Sequence, residues 1–474
     1  MSPGKRRPSR PGNTRPARKK EGPRKPPAVD PARRVAFDTL QAIRTRDAYA
    51  NLVLPELLRE RGITGRDAAL ATELTYGSAR LRGLLDEVIA ACADRALSSM
   101  DGDVLDALRL GVYQLMRTRV PAHAAVAATV DLVRATAGSA VSGFANAVLR
   151  RAATDDEQGW VERLAPPYET DPIGHLAIRT AHPAWIVRAF AEALGDTGTE
   201  LAQALEADNT RPEVHLVTRP DALNAAELAA LTGGEVMPYS PYGVRLDAGS
   251  GDLADSEPIR QGLAAVQDEG SQLCARALAE VPLDGKPDRR WLDLCAGPGG
   301  KARLLGALAA STGAHLDAVD TAEHRAALVR EAVDGLPVTV HTADGRASGL
   351  SPGYDRVLVD APCTGLGALR RRPEARWRRS PSDVADLTRL QGELLAEALR
   401  LTRSGGVVCY VVCTFHLAET EGLVGEAVRT SGASRLDARP FFPGVPDLGG
   451  GPDVQLWPHR HGTDAMYCAL LRKP

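Results

Sequence analysis

The stretch that decides the fold is Trp291–Arg303, which reads W-L-D-L-C-A-G-P-G-G-K-A-R. An apolar run ends here in a glycine-rich turn, and a helical pattern follows from about Lys301 to Ser311. Short apolar runs bounded by turn formers are typical of buried parallel strands. Glycine permits a positive φ and close approach of the backbone to a ligand, and the first turn of a helix offers unpaired N–H groups. The stretch therefore predicts a strand, a turn and a helix suited to a nucleotide-like ligand.

Two common nucleotide-binding motifs can be compared with these letters. A P-loop, G-x-x-x-x-G-K-[ST], needs a glycine where Cys295 stands and a hydroxyl where Ala302 stands, which argues against ATP hydrolysis. The dinucleotide motif G-x-G-x-x-G fits at Gly297 and Gly299 and meets Ala302 at its last position, where alanine is tolerated. NAD binding therefore stays open at this point, as does a plain turn without a ligand.

The amino-terminal segment differs in composition from the rest of the chain. Residues 1–29 contain ten Lys and Arg residues against one acid, Glu21, whereas the whole chain carries a net charge of −2. A proline-interleaved basic segment without an apolar run buries too little surface to fold, so we predict a disordered tail over 1–29. Its charge suits contacts with nucleic-acid phosphates, and a solubilising role explains it equally well.

Length and composition bound the class of protein. A chain of 474 residues predicts two or three domains. The sequence has no run of about 18 apolar residues, which argues against a membrane span. Its seven cysteines are odd in number and widely spaced, so neither a disulfide framework nor a metal site is predicted, and a reducing cytoplasm fits best. A monomer is expected.

The order of sequence patterns predicts four regions after the tail. Apolar residues recur at three and four spacing over 30–155, which predicts an all-α domain. Residues 156–175 are polar and contain prolines, which indicates a linker. Alternating and mixed patterns over 176–262 indicate a small α+β module. The glycine-rich turn belongs to the last region, 263–474.

Strand and helix patterns alternate in that last region. Apolar runs predict strands after the glycine-rich turn at Leu316–Asp320, Val338–Asp344, Tyr354–Ala361 and Gly406–Cys413. Helical patterns separate them, as at His324–Val333 and Asp386–Leu401. This alternation predicts an α/β fold with a doubly wound, mostly parallel, Rossmann-like sheet. Ligands bind such sheets outside the carboxyl ends of the strands.

Three acids stand at three successive predicted strand ends, namely Asp320, Asp344 and Asp360. Each alone is better explained as a cap of the helix that follows. Together, and beside a glycine-rich turn, they favour a rim that binds a nucleoside, because a carboxylate in this position accepts hydrogen bonds from ribose hydroxyls.

Cysteines also stand at the ends of the last two predicted strands. Cys363 follows Tyr354–Ala361 in D-A-P-C, and Cys413 ends Gly406–Cys413 in V-V-C-T. Neighbouring strand ends would bring the two thiols close to each other and to the ligand. A thiolate is a good nucleophile, so the pair indicates nucleophilic chemistry. By contrast, Cys295 and Cys409 lie in or beside apolar strands and are interpreted as buried structural cysteines.

A basic segment follows Cys363 and reads R-R-R-P-E-A-R-W-R-R over 370–379. Arginines around an aromatic ring suit contacts with a phosphate backbone and stacking on a base or sugar. A solvated basic face is the alternative. The residues predicted to bind RNA are Arg370, Arg371, Arg372, Arg376, Trp377 and Arg378.

Four motifs of the last region together resemble the RNA cytosine-5 methyltransferases. They are D-L-C-A-G-P-G-G-K (293–301), D-A-P-C-T-G-L-G (360–367), R-R-R-P-E-A-R-W (370–377) and Y-V-V-C-T (410–414). The helical region, with V-P-A-H-A-A-V (120–126) and G-F-A-N-A-V-L-R-R (143–151), resembles the NusB-type RNA-binding domain. This pairing is similar to the Sun/RsmB branch, whose members methylate small-subunit ribosomal RNA.

The resemblance implies S-adenosylmethionine as the cofactor. It implies that Asp320 binds the ribose, that Asp344 lies on the adenine side, and that Asp360 faces both the methionine part and the target base. The main cradle would be formed by Cys295, Ala296, Gly297, Pro298, Gly299, Gly300 and Lys301.

The resemblance also implies the reaction, which is methylation of cytosine carbon 5 in 16S ribosomal RNA through a covalent bond to carbon 6. Cys413 matches the nucleophile of the family and Cys363 the cysteine that assists product release. One departure is Val412, which stands where the family usually has threonine. Because the target base must leave its stack, single-stranded or looped RNA is the expected substrate. A transfer-RNA cytosine-5 methyltransferase and a non-enzymatic RNA-binding factor are the alternatives.

Overall fold

The computed structural model describes Met1 and residues 29–246, 256–285 and 288–474. The predicted basic tail lies outside the described residues except at its two ends, Met1 and Val29. Within the described ranges, no helix has the length and apolar character needed to cross a membrane.

The amino-terminal domain is a bundle of helices, as the three-and-four spacing predicts. Helix α5 is its central helix and packs against α1, α3, α4, α6 and α7. The first helix begins where Asp30 accepts a hydrogen bond from the Arg33 N–H, and Asp101 caps α5 in the same way. The helices are α1 (Pro31–Arg46), α2 (Ala50–Glu60), α3 (Gly65–Arg80), α4 (Arg82–Ala93), α5 (Gly102–Arg117), α6 (Ala122–Thr136) and α7 (Ser142–Ala152).

The prediction of a linker over 156–175 is wrong. The segment contains a complete helix and the start of the next one, and Trp160 packs into the core of the helical domain with its indole N–H donating to the Ala152 carbonyl at 3.0 Å. The polar, proline-containing composition of the segment gave no indication that Trp160, with Val161 and Leu164, packs against this core. The helices here are α8 (Glu157–Leu164), α9 (Pro172–Arg179), α10 (Ala184–Leu194) and α11 (Thr199–Asn209).

The small α+β module contains a four-stranded antiparallel sheet in the order β2-β3-β1-β4. Its last strand lies beyond residue 262, so the module extends further along the chain than the sequence predicts. Its elements are β1 (Val214–Thr218), α12 (Ala225–Thr232), β2 (Glu235–Val236), β3 (Gly243–Leu246), α13 (Glu257–Arg260) and β4 (Ala264–Val266).

The last region is built on a mixed sheet in the order β10-β12-β9-β8-β5-β6-β7, with β11 paired to β12. The pairs among β7, β6, β5, β8 and β9 are parallel, and β12 runs antiparallel to its neighbours. The elements are α14 (Glu269–Glu280), β5 (Arg290–Asp293), α15 (Gly300–Thr312), β6 (His315–Asp320), α16 (Glu323–Ala332), β7 (Val338–Thr342), β8 (Tyr354–Asp360), α17 (Pro381–Leu401), β9 (Thr402–Val412), α18 (Glu421–Ser431), β10 (Ser434–Leu436), β11 (Val454–Gln455), α19 (Pro458–His461) and β12 (Tyr467–Arg472).

This sheet confirms the predicted Rossmann-like fold and places its binding crevice. Successive residues of β5 face opposite sides, since Trp291 packs into one apolar cluster and Leu292 into another. From β5 the chain moves outward through β6 and β7 and then returns to β8 on the other side of β5. The strand order therefore reverses between β5 and β8, and ligands of such sheets bind outside the carboxyl ends at this point.

Candidate active site at the carboxyl ends of the strands

The glycine-rich turn lies between the end of β5 and the start of α15. Gly299 has a φ of +111°, and a Cβ there would lie 2.7 Å from the Cβ of Ala332, so both conformation and space require glycine. A Cβ on Gly297 would lie 2.3 Å from Asp320 Oδ2. The turn is therefore packed directly against the end of β6.

Asp320 uses one carboxylate oxygen to bind the glycine-rich turn and the other to bind the loop that follows β6. Oδ2 accepts from the Gly297 N–H at 3.0 Å, and Oδ1 accepts from the Ala322 N–H at 3.0 Å. Arg325 forms an ion pair with Asp320 at 3.1 Å and donates to the Gly297 carbonyl at 2.7 Å. The acid is buried and held at the crevice, in the position predicted from the sequence.

The other two strand-end acids have different surroundings. Asp344 caps the short turn after β7 by accepting from the Arg346 N–H at 2.9 Å, and it pairs with the Arg346 side chain at the surface. Asp360 pairs instead with the Lys301 ammonium group at 2.9 Å, and its carboxylate is 31% exposed. Of these two acids, Asp360 is the one that stands beside the glycine-rich turn.

The Lys301 ammonium group is buried under the first turn of α15. Burial opposes its charge, but attraction and hydrogen bonding by Asp360 prevail and raise the pKa of Lys301 above its ordinary value. The lysine therefore remains a cation, and its charge acts on the neighbouring Cys413 thiol.

The structure brings the two predicted cysteines together. Strands β8 and β9 are adjacent and parallel, so the loops after them meet, and the Sγ atoms of Cys363 and Cys413 are 3.4 Å apart. The hydrogen bond from Cys363 lowers the pKa of Cys413 despite burial. The same hydrogen bond, with burial, raises the pKa of Cys363. Cys413 is thus the thiol suited to act as the nucleophile, and Cys363 is its proton-bearing neighbour.

Asp293 is a further polar residue of the site that the sequence reasoning missed. It is completely buried at the end of β5, and Oδ1 accepts from the Cys295 N–H at 3.4 Å. Oδ2 has no hydrogen-bond partner within the described residues, and burial, with the charge of Asp360, raises the pKa of Asp293 to about 7. A lone acid inside the apolar run W-L-D-L was the available signal.

The crevice has the polar groups that a nucleoside or amino-acid ligand needs. Besides Asp293, the buried Oε1 of Gln267 lacks a partner in the described part of the chain, and its side chain lies beside Gly300. Buried polar atoms without partners cost stability unless a ligand or water satisfies them. Among the residues that the structure describes, no cluster of His, Cys, Asp or Glu has the arrangement of a metal site.

The basic segment predicted to bind RNA forms internal contacts instead, which corrects the expectation of a free basic face. Arg370 and Arg371 both pair with Asp268 and Asp464, at 2.8 to 3.1 Å. Arg372 is the exposed member of the six residues. Arg370 and Arg376 are buried, and Arg371, Trp377 and Arg378 are half-buried. Their partners are remote in sequence, so no local pattern predicts these contacts.

The remaining residues of that segment join the last region to the helical domain. Arg376 is fully buried and donates to the carbonyls of Arg80 and Asp208 and to the side chain of Asn209, at 2.8 to 3.1 Å. Arg378 donates to the Ala48 carbonyl. The Trp377 ring packs so closely on α4 that a Cβ on Gly83 would lie 2.9 Å from it.

Family models match the two parts of the chain separately. Residues 30–154 match the NusB family, and residues 280–472 match the family described as 16S rRNA methyltransferase RsmB/F. The fold and the site thus define a Rossmann-like methyltransferase that carries a NusB-type domain at its amino terminus.

Relatives that match along almost the whole chain make the assignment more specific. A Mycobacterium tuberculosis H37Rv protein that is named as a putative methyltransferase is 58% identical over 454 residues, which cover 95% of this chain and 98% of that protein. Ribosomal RNA small subunit methyltransferase B of Pseudomonas putida is 33% identical, covering 85% of this chain and 91% of that protein. The chain belongs to the RsmB family of 16S rRNA methyltransferases.

Solved structures share the fold at lower identity. PH0851 superposes with a TM-score of 0.77 at 22% identity, covering 95% of this chain and 100% of that chain. NSun6 from Pyrococcus horikoshii, solved with SFG, has a TM-score of 0.52 at 18% identity and covers 61% of this chain and 98% of that chain.

Proposed function

We propose that this protein methylates carbon 5 of a cytosine in 16S ribosomal RNA, with S-adenosylmethionine as methyl donor and a transient bond between Cys413 and carbon 6 of the base. The observation that carries the proposal is the pair of thiols 3.4 Å apart at the ends of β8 and β9, beside the ion pair of Lys301 and Asp360. Membership in a family of 16S rRNA methyltransferases supports the substrate.

The first step depends on Cys413 as a thiolate. Carbon 5 of cytosine is a weak nucleophile, and addition of the Cys413 sulfur to carbon 6 turns carbon 5 into an enamine-like centre. The hydrogen bond from Cys363 and the charge of Lys301 both stabilise the thiolate and lower the pKa of Cys413. Asp360 stands close enough for its charge to act on Cys413. In its protonated form the Asp360 carboxyl group would donate a hydrogen bond to N3 of the base as negative charge builds up there.

The last step restores the aromatic ring. Transfer of the carbon 5 proton to water re-forms the double bond between carbons 5 and 6 and expels the Cys413 thiolate. The Cys363 sulfur lies next to the leaving sulfur, so we assign to Cys363 the assistance of this release. Val412 has no hydroxyl on its side of the nucleophile, but Thr414 has one on the other side, and it hydrogen-bonds the Thr364 hydroxyl of the neighbouring loop at 3.0 Å.

The residues around the glycine-rich turn fit the methyl donor. When bound, S-adenosylmethionine supplies an electrophilic methyl group. The turn over 295–301 and Asp320 would hold its nucleoside and methionine parts, and Asp344 at the end of β7 is the candidate for the adenine side. Asp293 has a buried oxygen with no partner among the described residues, and this oxygen would be available to a polar group of that ligand.

The RNA must present an unstacked cytosine to this site. Extruding a base from a duplex costs a few kcal/mol and less from a loop, so a single-stranded or looped region is the expected target. The NusB-type domain, which the segment 373–378 anchors beside the site, is the part of the chain that we assign to RNA binding.

The proposal is tested by methylating 16S ribosomal RNA with the purified protein and identifying the product nucleoside by mass spectrometry. The wild type is expected to form 5-methylcytidine. Cys413→Ala should abolish methylation while leaving the affinity for S-adenosylmethionine, measured by calorimetry, nearly unchanged. Cys409→Ala is the matched control, because Cys409 lies in β9, the strand that leads to Cys413, and is buried in the core. Methylation of another atom, or full activity of Cys413→Ala, would overturn the proposal.

A further inference from the structure

The two cysteine-bearing loops share one buried carboxylate that neither the sequence reasoning nor the proposed mechanism uses. Glu419 is completely buried in the short turn that follows β9, six residues after Cys413. Its neighbour Glu421, at the start of α18, is exposed. None of the salt bridges found in the described ranges includes Glu419.

Both oxygens of this carboxylate accept hydrogen bonds from the loops that carry the thiols. Oε1 accepts from the Thr364 N–H at 2.8 Å and from the side-chain amide of Gln391 at 2.9 Å. Oε2 accepts from the Thr364 hydroxyl and from the Thr414 hydroxyl, the latter at 3.1 Å. The two hydroxyls are themselves 3.0 Å apart. Every contact comes from a donor, which suits an ionised carboxylate.

Two of the residues that hydrogen-bond to Glu419 are adjacent in sequence to the two cysteines. Thr364 follows Cys363, and Thr414 follows Cys413. The Gln391 amide also donates to the Pro362 carbonyl at 2.8 Å, so α17 holds the same loop from its other side. A carboxylate that binds both loops fixes the separation of the two sulfur atoms.

We propose that Glu419 is a positioning residue for the thiol pair, which holds the loops after β8 and β9 together and whose negative charge keeps Cys363 protonated. The inference rests on the proposed function, in which these thiols attack and release the base. A protonated Cys363 can donate to Cys413 and leave the negative charge on the nucleophile.

Charged and titratable groups reach the thiols from several elements. Glu419 and Tyr410 face Cys363, while Asp360, Lys301 and Arg372 act on Cys413. Besides its hydrogen bond with Cys413 and its burial, the charge of Glu419 raises the pKa of Cys363. Of these groups, Glu419 is the one that is bonded to both loops.

Glu419→Gln tests the charge, because glutamine keeps the shape and can still accept from Thr364 and Gln391, while the two hydroxyls can turn to accept from its amide. Alkylation of the full-length protein by iodoacetamide, followed by peptide mass spectrometry, gives the reactivity of each thiol against pH without any RNA. The ratio of Cys413 to Cys363 alkylation at pH 7 should fall severalfold, because loss of the charge lowers the pKa of Cys363. Glu421→Gln, the exposed control, should match the wild type. A wild-type ratio in Glu419→Gln would overturn the charge role.

Thr414→Val tests the positioning, because it removes one bond between the carboxylate and the loop of the nucleophile and keeps the charge. Single-turnover methylation at saturating S-adenosylmethionine should slow by about tenfold to a hundredfold, since small misplacements of reacting groups cost rates of this size. Thr414→Ser should restore most of the rate. Equal rates for Thr414→Val and the wild type would overturn the positioning role, and this arm decides the matter if Glu419→Gln does not fold. Absence of cytosine methylation by the wild type would instead refute the proposed function.

Discussion

The pKa of Cys413 depends on three neighbours that differ in how they act. The Cys363 thiol donates a hydrogen bond and has the largest effect, the Lys301 ammonium group lowers the pKa of Cys413 through its charge, and the Asp360 carboxylate opposes this. Lys301 also pairs with Asp360 at 2.9 Å, which offsets part of the repulsion between that carboxylate and a thiolate. Lys301 stands in the first turn of α15, directly after the glycine-rich turn. Its charge therefore couples the electrostatics of the turn to those of the thiols.

Lys301→Met should raise the pKa of Cys413, since the variant loses the cation and leaves the charge of Asp360 unpaired. The rising limb of the methylation rate should then move to higher pH, and the rate at pH 7 should fall about tenfold for each unit of that shift. Single-turnover methylation measured from pH 6 to pH 9 checks this. Arg389→Met, on the exposed part of α17, is the control. An unchanged pH profile in Lys301→Met would show that the lysine does not act on the nucleophile.

At the scale of elements, the strand ends of the large sheet are what the sequence predicts best. Buried parallel strands appear as short apolar runs, so the residues after them can be placed at one edge of the sheet without knowing the strand order. This is why Cys363 and Cys413, 50 residues apart, could be expected to meet. The expectation holds because β8 and β9 are neighbours.

The contacts between elements are what the sequence does not predict. The arginines of the segment 370–378 look like a surface for phosphates, yet Arg370 pairs with Asp464, and Arg376 reaches the Arg80 carbonyl. These partners lie 94 and 296 residues away. Glu419 stands among other acids in H-L-A-E-T-E, and nothing in the letters distinguishes the buried one from its exposed neighbour.

One buried acid in the contacts between elements gives a pH dependence of stability. Asp208 near the end of α11 lies beside His182 and Arg376, with neither carboxylate oxygen hydrogen-bonded within the described residues. Burial raises the pKa of Asp208 from 3.8 to about 7, although the charge of Arg376 opposes this. Between these pH values the unfolded chain releases the proton and the folded chain keeps it, so this group's contribution to stability falls as pH rises and is lost above about pH 7.

Asp208→Asn should remove this pH dependence. Relative to the wild type, the variant should gain stability between pH 5 and pH 8, by on the order of 3 kcal/mol. Urea unfolding at both pH values measures the difference, and Asp386→Asn at an exposed site of α17 is the control. A difference between wild type and Asp208→Asn that is the same at both pH values would mean that Asp208 is ionised throughout.

At the scale of the whole molecule, the helical domain and the methyltransferase domain are joined through the segment that follows Cys363. Glu374 accepts from the Ala50 N–H at 3.2 Å, and Trp377 packs against Gly83. The segment begins close to the thiols, because the charge of Arg372 also acts on Cys413. This short segment connects the NusB-type domain to the thiol pair, so an RNA held by that domain would lie near the thiols.

The proposed reaction passes through a covalent bond between this protein and its RNA. If Cys413 attacks the base and Cys363 assists release, Cys363→Ala should accumulate the bonded complex when it is incubated with 16S ribosomal RNA and S-adenosylmethionine. The measurement is a denaturing gel followed by mass spectrometry of the RNA-linked peptide. We predict a denaturant-resistant band in which the RNA is linked to Cys413. This band should be absent from the double variant Cys363→Ala, Cys413→Ala. If no such band forms with RNA that the wild type does methylate, the covalent mechanism is contradicted. A link to any residue other than Cys413 would contradict it as well.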